Sequence, residues 1–289
     1  MTTPKLALIP SAYKESKVYS PLPINGDGDF TFTRTTEATR VNKDGLIETV
    51  GNNIPRLDYL DGSCPSLLLE PSRTNLITYS SEVNEGNITD FTSGTGLPPD
   101  LLSETDLAPD GSFTACEWRF NVGSGITTSD ISTINNNYYT DGNVDYTMSV
   151  YLYAELDNTQ IYIRAAGSNY TLKTLNAGWN RVQVTDTSTS TSSSWSIGLI
   201  QGLSGGTINS NVTVKVWGLQ VEEGSDVTSY IPTNGSIVTR AVDVCTLDTT
   251  NLDLSSITET FTDNSTNVIT VIPSTYSVSE GKIAKIIGE

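Results

Sequence analysis

Ten side chains carry most of the chemistry this sequence could perform. Arg34, Arg40, Arg56 and Arg73 are four of the chain's eight arginines, and they crowd into its first 73 residues beside Asp58 and Glu70. Charges this close to a run as apolar as Leu67-Leu68-Leu69 persist only when paired and hydrogen-bonded, so Arg34, Arg40, Arg56, Asp58, Glu70 and Arg73 read as an internal guanidinium–carboxylate clasp. The functional alternative is a site for an anion or sugar acid. The other four are Tyr138, Tyr139, Tyr151 and Tyr153, the centre of a tyrosine pool that also holds Tyr162 and Tyr170. Exposed aromatic rings stack on sugar faces and amides bond sugar hydroxyls, which makes these tyrosines candidates for glycan binding. Aromatic stripes also build cores, and Trp118 and Trp217 are assigned there.

Catalysis has few openings. The chain contains no histidine, which removes Ser-His-Asp and Cys-His mechanisms. A glycosidase would need two carboxylates across a cleft, and Glu70, Asp130 and Glu155 are candidates that spacing alone cannot pair. No phosphate-cradling glycine loop is present. The expectation is a protein without catalytic residues and without a cofactor. With 33 acidic against 16 basic residues the net charge is -17, which disfavours nucleic acid. That charge suits Ca²⁺, although no loop has the spacing of a known calcium motif. Cys64, Cys116 and Cys245 are an odd set at long separations, read as buried, reduced thiols. Residues 1–10 lack the apolar run of a signal peptide or membrane anchor, so the chain is expected to fold in a cytoplasm without membrane insertion.

The elements that must position these groups read as strands throughout. Leu67 to Leu69, closed by Glu70 and Pro71, suits a short strand buried on both faces and stopped by a residue with no N–H to give. Phe30, Phe32 and Arg34 alternate, and Asn42-Lys43-Asp44-Gly45 is a turn, giving a small antiparallel region over 29–74. Residues 82–110 read as long surface loops. Alternation then resumes in Cys116/Trp118/Phe120, Tyr146/Met148/Val150/Leu152, Ile161/Ile163, Val182/Val184 and Val212/Val214/Val216, which predicts an all-β, antiparallel, jelly-roll-like β-sandwich over 75–245. The serine/threonine tract 185–194 reads as an exposed connection. Residues 1–28, with four prolines, form a docking arm or a loose terminus. Residues 246–289 are a short C-terminal extension whose Val268, Ile269, Val271, Ile272, Ile283, Ile286 and Ile287 could join copies of the chain or pack back on it.

Three blocks carry a resemblance. The run Arg56-Leu57-Asp58-Tyr59, then Cys64-Pro65-Ser66-Leu67-Leu68-Leu69-Glu70-Pro71 and Arg73-Thr74-Asn75-Leu76, resembles a segment of virion structural proteins of tailed bacteriophages. Upstream, Phe30-Thr31-Phe32-Thr33-Arg34 with Ala38-Thr39-Arg40-Val41-Asn42-Lys43-Asp44-Gly45-Leu46-Ile47-Glu48 is similar to the same group. So are Trp217-Gly218-Leu219-Gln220-Val221-Glu222, Thr228-Ser229-Tyr230-Ile231-Pro232-Thr233 and Val238-Thr239-Arg240-Ala241 downstream. The resemblance implies a tail-fibre, head-fibre or capsid-decoration component with a central sandwich like carbohydrate-binding modules or concanavalin. It also implies other virion proteins as partners, location in the virion, and a homo-oligomer, a trimer by analogy with phage fibres. A host surface glycan is the alternative partner, and a polysaccharide depolymerase a third reading.

Overall fold

A computed structural model describes residues 4–10, 29–60, 62, 64–167, 169–203 and 209–289. Of the expected docking arm, 1–28, residues 4–10 are described, and their Leu6–Leu8 strand is buried and paired with residues 286–288 of its own chain, while 11–28 lie outside the described residues. Chain order runs β1 (Leu6–Leu8), β2 (Phe30–Thr33), β3 (Ala38–Val41), β4 (Ile47–Val50), β5 (Arg56–Asp58), β6 (Ser66–Leu69) and β7 (Arg73–Asn75). Then follow β8 (Thr89–Ser93), β9 (Leu97–Asp106), β10 (Ala115–Asn121), β11 (Ile131–Tyr139), β12 (Asp145–Ala154), β13 (Thr159–Arg164), β14 (Thr171–Leu175), β15 (Gly178–Thr187), β16 (Ser192–Ile200), β17 (Asn211–Glu223) and β18 (Val238–Arg240). The last are β19 (Val244–Asp248), β20 (Ile257–Phe261), β21 (Thr266–Ile269), β22 (Thr275–Ser277) and β23 (Gly281–Gly288). The protein is all-β and its ladders are antiparallel, as the periodicity implies. Two compact units result: 1–73 with 240–289, and 74–239, which is inserted between them.

The first unit is built around the leucine strand. Leu67, Leu68 and Leu69 are buried, with β6 between β5 and β23 in the sheet order β21-β20-β23-β6-β5 and β1 also paired to β23. Leu67 faces both Leu57 and Ile283 in register. A second sheet, β2-β19-β22, brings Phe30, Cys245, Leu247 and Tyr276 into the same apolar cluster as Leu67, Leu69 and Ile286. Burying each such side chain contributes roughly 1.5–3 kcal/mol. Residues 246–289 are therefore no appendage. Ile283 and Ile286 are buried inside their own chain and unavailable for joining copies, whereas Val268 and Val271 stay exposed. The Asn42–Gly45 turn joins β3 to β4, with Gly45 at φ 80° and the Asn42 carboxamide accepting from Asp44 and Leu46 N–H. Phe30 of β2 pairs with Leu247 across the sequence.

The inserted unit is the sandwich. Its sheets are β15-β12-β17-β10-β9 and β14-β13-β16-β11-β8, with consecutive strands repeatedly switching sheets. Cys116, Trp118, Phe120, Met148, Val150, Leu152, Ile161, Ile163, Val214 and Val216 all point into one core, so the alternation in the sequence marked the inward faces. Two expectations fail for physical reasons. Residues 82–110 contain β8 and the ten-residue β9, whose Pro98 and Pro99 mask a strand that the sheet tolerates because β9 lies at its edge and slips register against β10. The tract 185–194 is mostly strand end, and only 188–191 connects β15 to β16. Ser188 is buried because its hydroxyl meets those of Thr140 and Ser193 and the carbonyl of Ser190.

Candidate functional site

The arginine clasp exists in the first unit, with different members. Asp243, two residues past the resembling Val-Thr-Arg-Ala block, is its hub. It accepts from Arg34 Nη1 at 3.0 Å, from Arg56 Nη2, and from the Glu70 backbone N–H at 2.9 Å. Glu70 accepts from Arg56 Nη1 at 2.8 Å and from Arg240 Nη1. Arg34 spends its remaining donors on the carbonyls of Thr36, Val50, Gly51 and Ile54. Burial pulls Arg56 down, but Glu70 and Asp243 outweigh it and leave the group above its ordinary value, while Arg34 stays below, burial outweighing Asp243. Three guanidiniums face two carboxylates, all largely out of solvent, and their charges are paired from within.

Arg73, Arg40 and Asp58 are corrections to the expected clasp. Among the described residues Arg73 reaches only the carbonyl of adjacent Ser72. Arg40 makes a cross-strand pair with Glu48 on the β3–β4 hairpin, Nε to Oε1 at 2.7 Å. Asp58 caps the backbone N–H groups of Val41 and Leu60 and lies 3.9 Å from Lys282. Asp243 and Arg240 are additions to the expected clasp; Arg240 lies inside a resembling block and Asp243 two residues beyond it.

The remaining carboxylate candidates separate in role. Asp130 accepts from the N–H and hydroxyl of both Thr95 and Thr127 at 2.7–3.0 Å, and these four donors draw it down to about 2. Glu155 is exposed. Among the described residues no group of three or more Asp, Glu or Cys converges to hold a metal. Cys116 and Cys245 are buried, which pushes both thiols up to about 12. Cys64, expected buried, is exposed in a bend two residues before β6.

The tyrosines divide by strand parity. Tyr138 is excluded as a glycan ligand: its ring lies in the core at 5.9 Å from Tyr146, its hydroxyl donating to the Ala165 carbonyl. Tyr139, the next residue, is 90% exposed. Tyr151 and Tyr153 stand on the outer face of β12, opposite Val150 and Leu152. Register then decides their surroundings. Tyr151 faces Arg181 on one side and Trp217 on the other, and Tyr153 faces Trp179 and Lys215. Trp217 is buried as expected, but on this outer face, 4.6 Å from Tyr230 and with its indole N–H given to Thr114. The resembling blocks explain that cover. Gln220 and Glu222 bind the backbone of Thr228, Ser229 and Ile231, which pins the 228–233 segment beside Trp217, and Asn75 ties in the carbonyls of Leu219 and Ile231. Gly218 is required there: at φ 65°, a Cβ would sit 2.8 Å from the Tyr151 ring.

Beyond this cover the outer face is open. Tyr153 and Trp179 pack edge-to-face at 5.6 Å, each half-buried, and Lys215 Nζ lies 5.3 Å over the Tyr153 ring. Burial raises Asp106, but bonds from Lys215 and Ser103 outweigh it and hold the carboxyl below its usual range. Lys215 is thereby fixed at 2.6 Å from Asp106. The result is an aromatic pair with a salt-bridged cation beside it, able to stack on an apolar sugar face and donate to its hydroxyls. Trp179 and Lys215 escaped sequence reading because only the β12 register places them around Tyr153.

No family model matches the chain, and neither does any curated protein. Solved structures with a similar fold cover about half of it. A CBM4 structure aligns over 51% of this chain and 94% of its own at 15% identity, with a TM-score of 0.34. The CBM22-2 xylan-binding domain of Paenibacillus barcinonensis Xyn10C aligns over 51% and 99% at 13% identity, TM-score 0.33. The enzymatically active domain of tailspike protein 4 from bacteriophage CBA120 aligns over 52% of this chain but only 21% of its own length, at 11% identity and a TM-score of 0.32.

Proposed function

We propose that this chain is a non-enzymatic structural component of a tailed-phage virion, a fibre or decoration protein, whose inserted sandwich binds host-surface glycan through Tyr153 and Trp179. The observation that carries the reading is the division of labour among residues. Arg34, Arg56, Glu70, Arg240, Asn75, Gln220 and Glu222, which lie in the blocks resembling phage proteins, are spent on internal bonds. The half-buried pair Tyr153–Trp179 is left at the surface with its cation. Rings in this state bury apolar area when a sugar stacks, without first dismantling a core. An antibody against residues 74–239 should bind intact particles, and a chain absent from purified particles overturns the virion assignment. Incubation with capsular polysaccharide should yield no new reducing ends; their appearance would favour a depolymerase.

The same reading includes a symmetric homo-oligomer, trimeric by the resemblance. Val268 and Val271, 55% and 85% exposed, are the tail residues left for such a contact.

A further inference from the structure

On the other sheet of the sandwich, the ends of β11 and β16 frame a cleft of about 470 Å³. Register sets Asn137 against Ser194 and Tyr139 against Ser192, with Ile134, Tyr138, Trp195 and Ile197 turned inward, so the two strands present amides and hydroxyls outward. Asp186 closes another side. Its Oδ2 accepts from the backbone N–H groups of Ala165 and Ala166 at 2.9 and 3.2 Å, which holds the chain after β13 over the cleft. Asn169 and Thr189 complete the wall.

The hydrogen-bonding inventory points to a ligand. Many surface hydroxyls in this region are consumed locally, Ser190 by the Ser192 carbonyl and Thr187 by Asp145. The side chains of Asn137, Asn169, Thr189 and Ser192 bond to no described residue, although they converge on one volume. Ser194 accepts from Arg164 Nη2 at 2.6 Å and keeps its own proton to donate. Arg164 is held at 4.6 Å over the Tyr170 ring, which fixes its bond to Ser194. Among the described residues the wall has no aromatic ring, and its one ionisable group is Asp186. Small-molecule pockets of this size, roughly 300–1,000 Å³, are ordinarily mostly apolar, so a polar one suits a ligand that is itself hydroxylated all round.

The geometry points to a second carbohydrate site here, taking one or two neutral sugar residues by hydrogen bonds alone. It rests on the glycan-binding reading above and deepens it. Groups that both donate and accept match sugar hydroxyls, which do the same. The Asp186 carboxylate accepts from hydroxyls and repels a sugar acid. Without stacking area the site is weak, and it gains from many copies on one surface, where linked weak sites add avidity.

Saturation-transfer NMR on the full chain tests this with glucose, galactose, mannose and N-acetylglucosamine at about 50 mM, enough to populate a millimolar site, and with N-acetylneuraminic acid as the anionic probe. In a Tyr153→Ala/Trp179→Ala background, or Trp179→Ala alone if the double variant melts early, at least one neutral sugar should still receive saturation. Adding Asn137→Ala and Asn169→Ala, both exposed and harmless to the fold, should remove it. No transfer to any neutral sugar in that background overturns the cleft, as does transfer that survives the asparagine changes or that favours the sugar acid. Transfer lost by Asn137→Ala/Asn169→Ala in the otherwise unchanged chain would sink the platform instead and leave the cleft standing.

Discussion

Asp243 accepts from two guanidiniums and a backbone N–H, and Glu70 from two guanidiniums, so neither can leave without stranding buried positive charge. Breaking a buried pair from one side costs about 3–5 kcal/mol. Asp243→Ala, Glu70→Ala and Arg56→Ala should each lower the melting temperature sharply, whereas Arg73→Ala should stay within about 0.5 kcal/mol of wild type, as surface changes do. Equal melts for Arg73→Ala and Arg56→Ala would show the clasp is misassigned. Asp130 gives a pH signature. Its folded-state value, about 2, lies below the ordinary carboxylate value, so its contribution is complete above roughly pH 4 and is lost as pH falls toward about 2. Asp130→Asn should flatten stability against pH across that window, and an unchanged slope would count against those four bonds. Charge concentration showed that arginines would be clasped, and Arg34, Arg56 and Glu70 were found. Their hub was not, because Asp243 lies 173 residues from Glu70 and just outside the resembling block.

At the scale of elements, β6 was legible because a continuous leucine run between polar signals has few other uses. β10, β12 and β17 were legible because strict alternation marks one buried face. The strand β9 was hidden by its prolines, and the partner of β6 was hidden by distance, since β23 returns from the far end of the chain. Truncation at Cys245 should therefore abolish folding of the first unit, since it removes β20 to β23 and exposes Leu67 and Leu69; a soluble truncated chain with a cooperative melt would contradict this. Gly218→Ala should destabilise by at least about 1–3 kcal/mol, since a non-glycine residue at positive φ is strained and its Cβ meets Tyr151. A neutral melt would mean the Trp217–Tyr151 packing relaxes freely.

Across the whole molecule, the chain builds one unit from both of its ends and carries the sandwich as an insertion. The uncharged strip through Val268 and Val271 contrasts with a net charge of -17, and Val268→Asp/Val271→Asp should reduce the mass found by light scattering if it joins copies. The most direct test of the account is binding of the full chain to arrayed glycans, with and without Tyr153→Ala/Trp179→Ala. The account predicts that the intact chain retains a defined set of glycans and that the variant, melting close to wild type, loses at least tenfold in affinity for them. Undiminished binding by the variant, or no glycan retained by the intact chain, would contradict it.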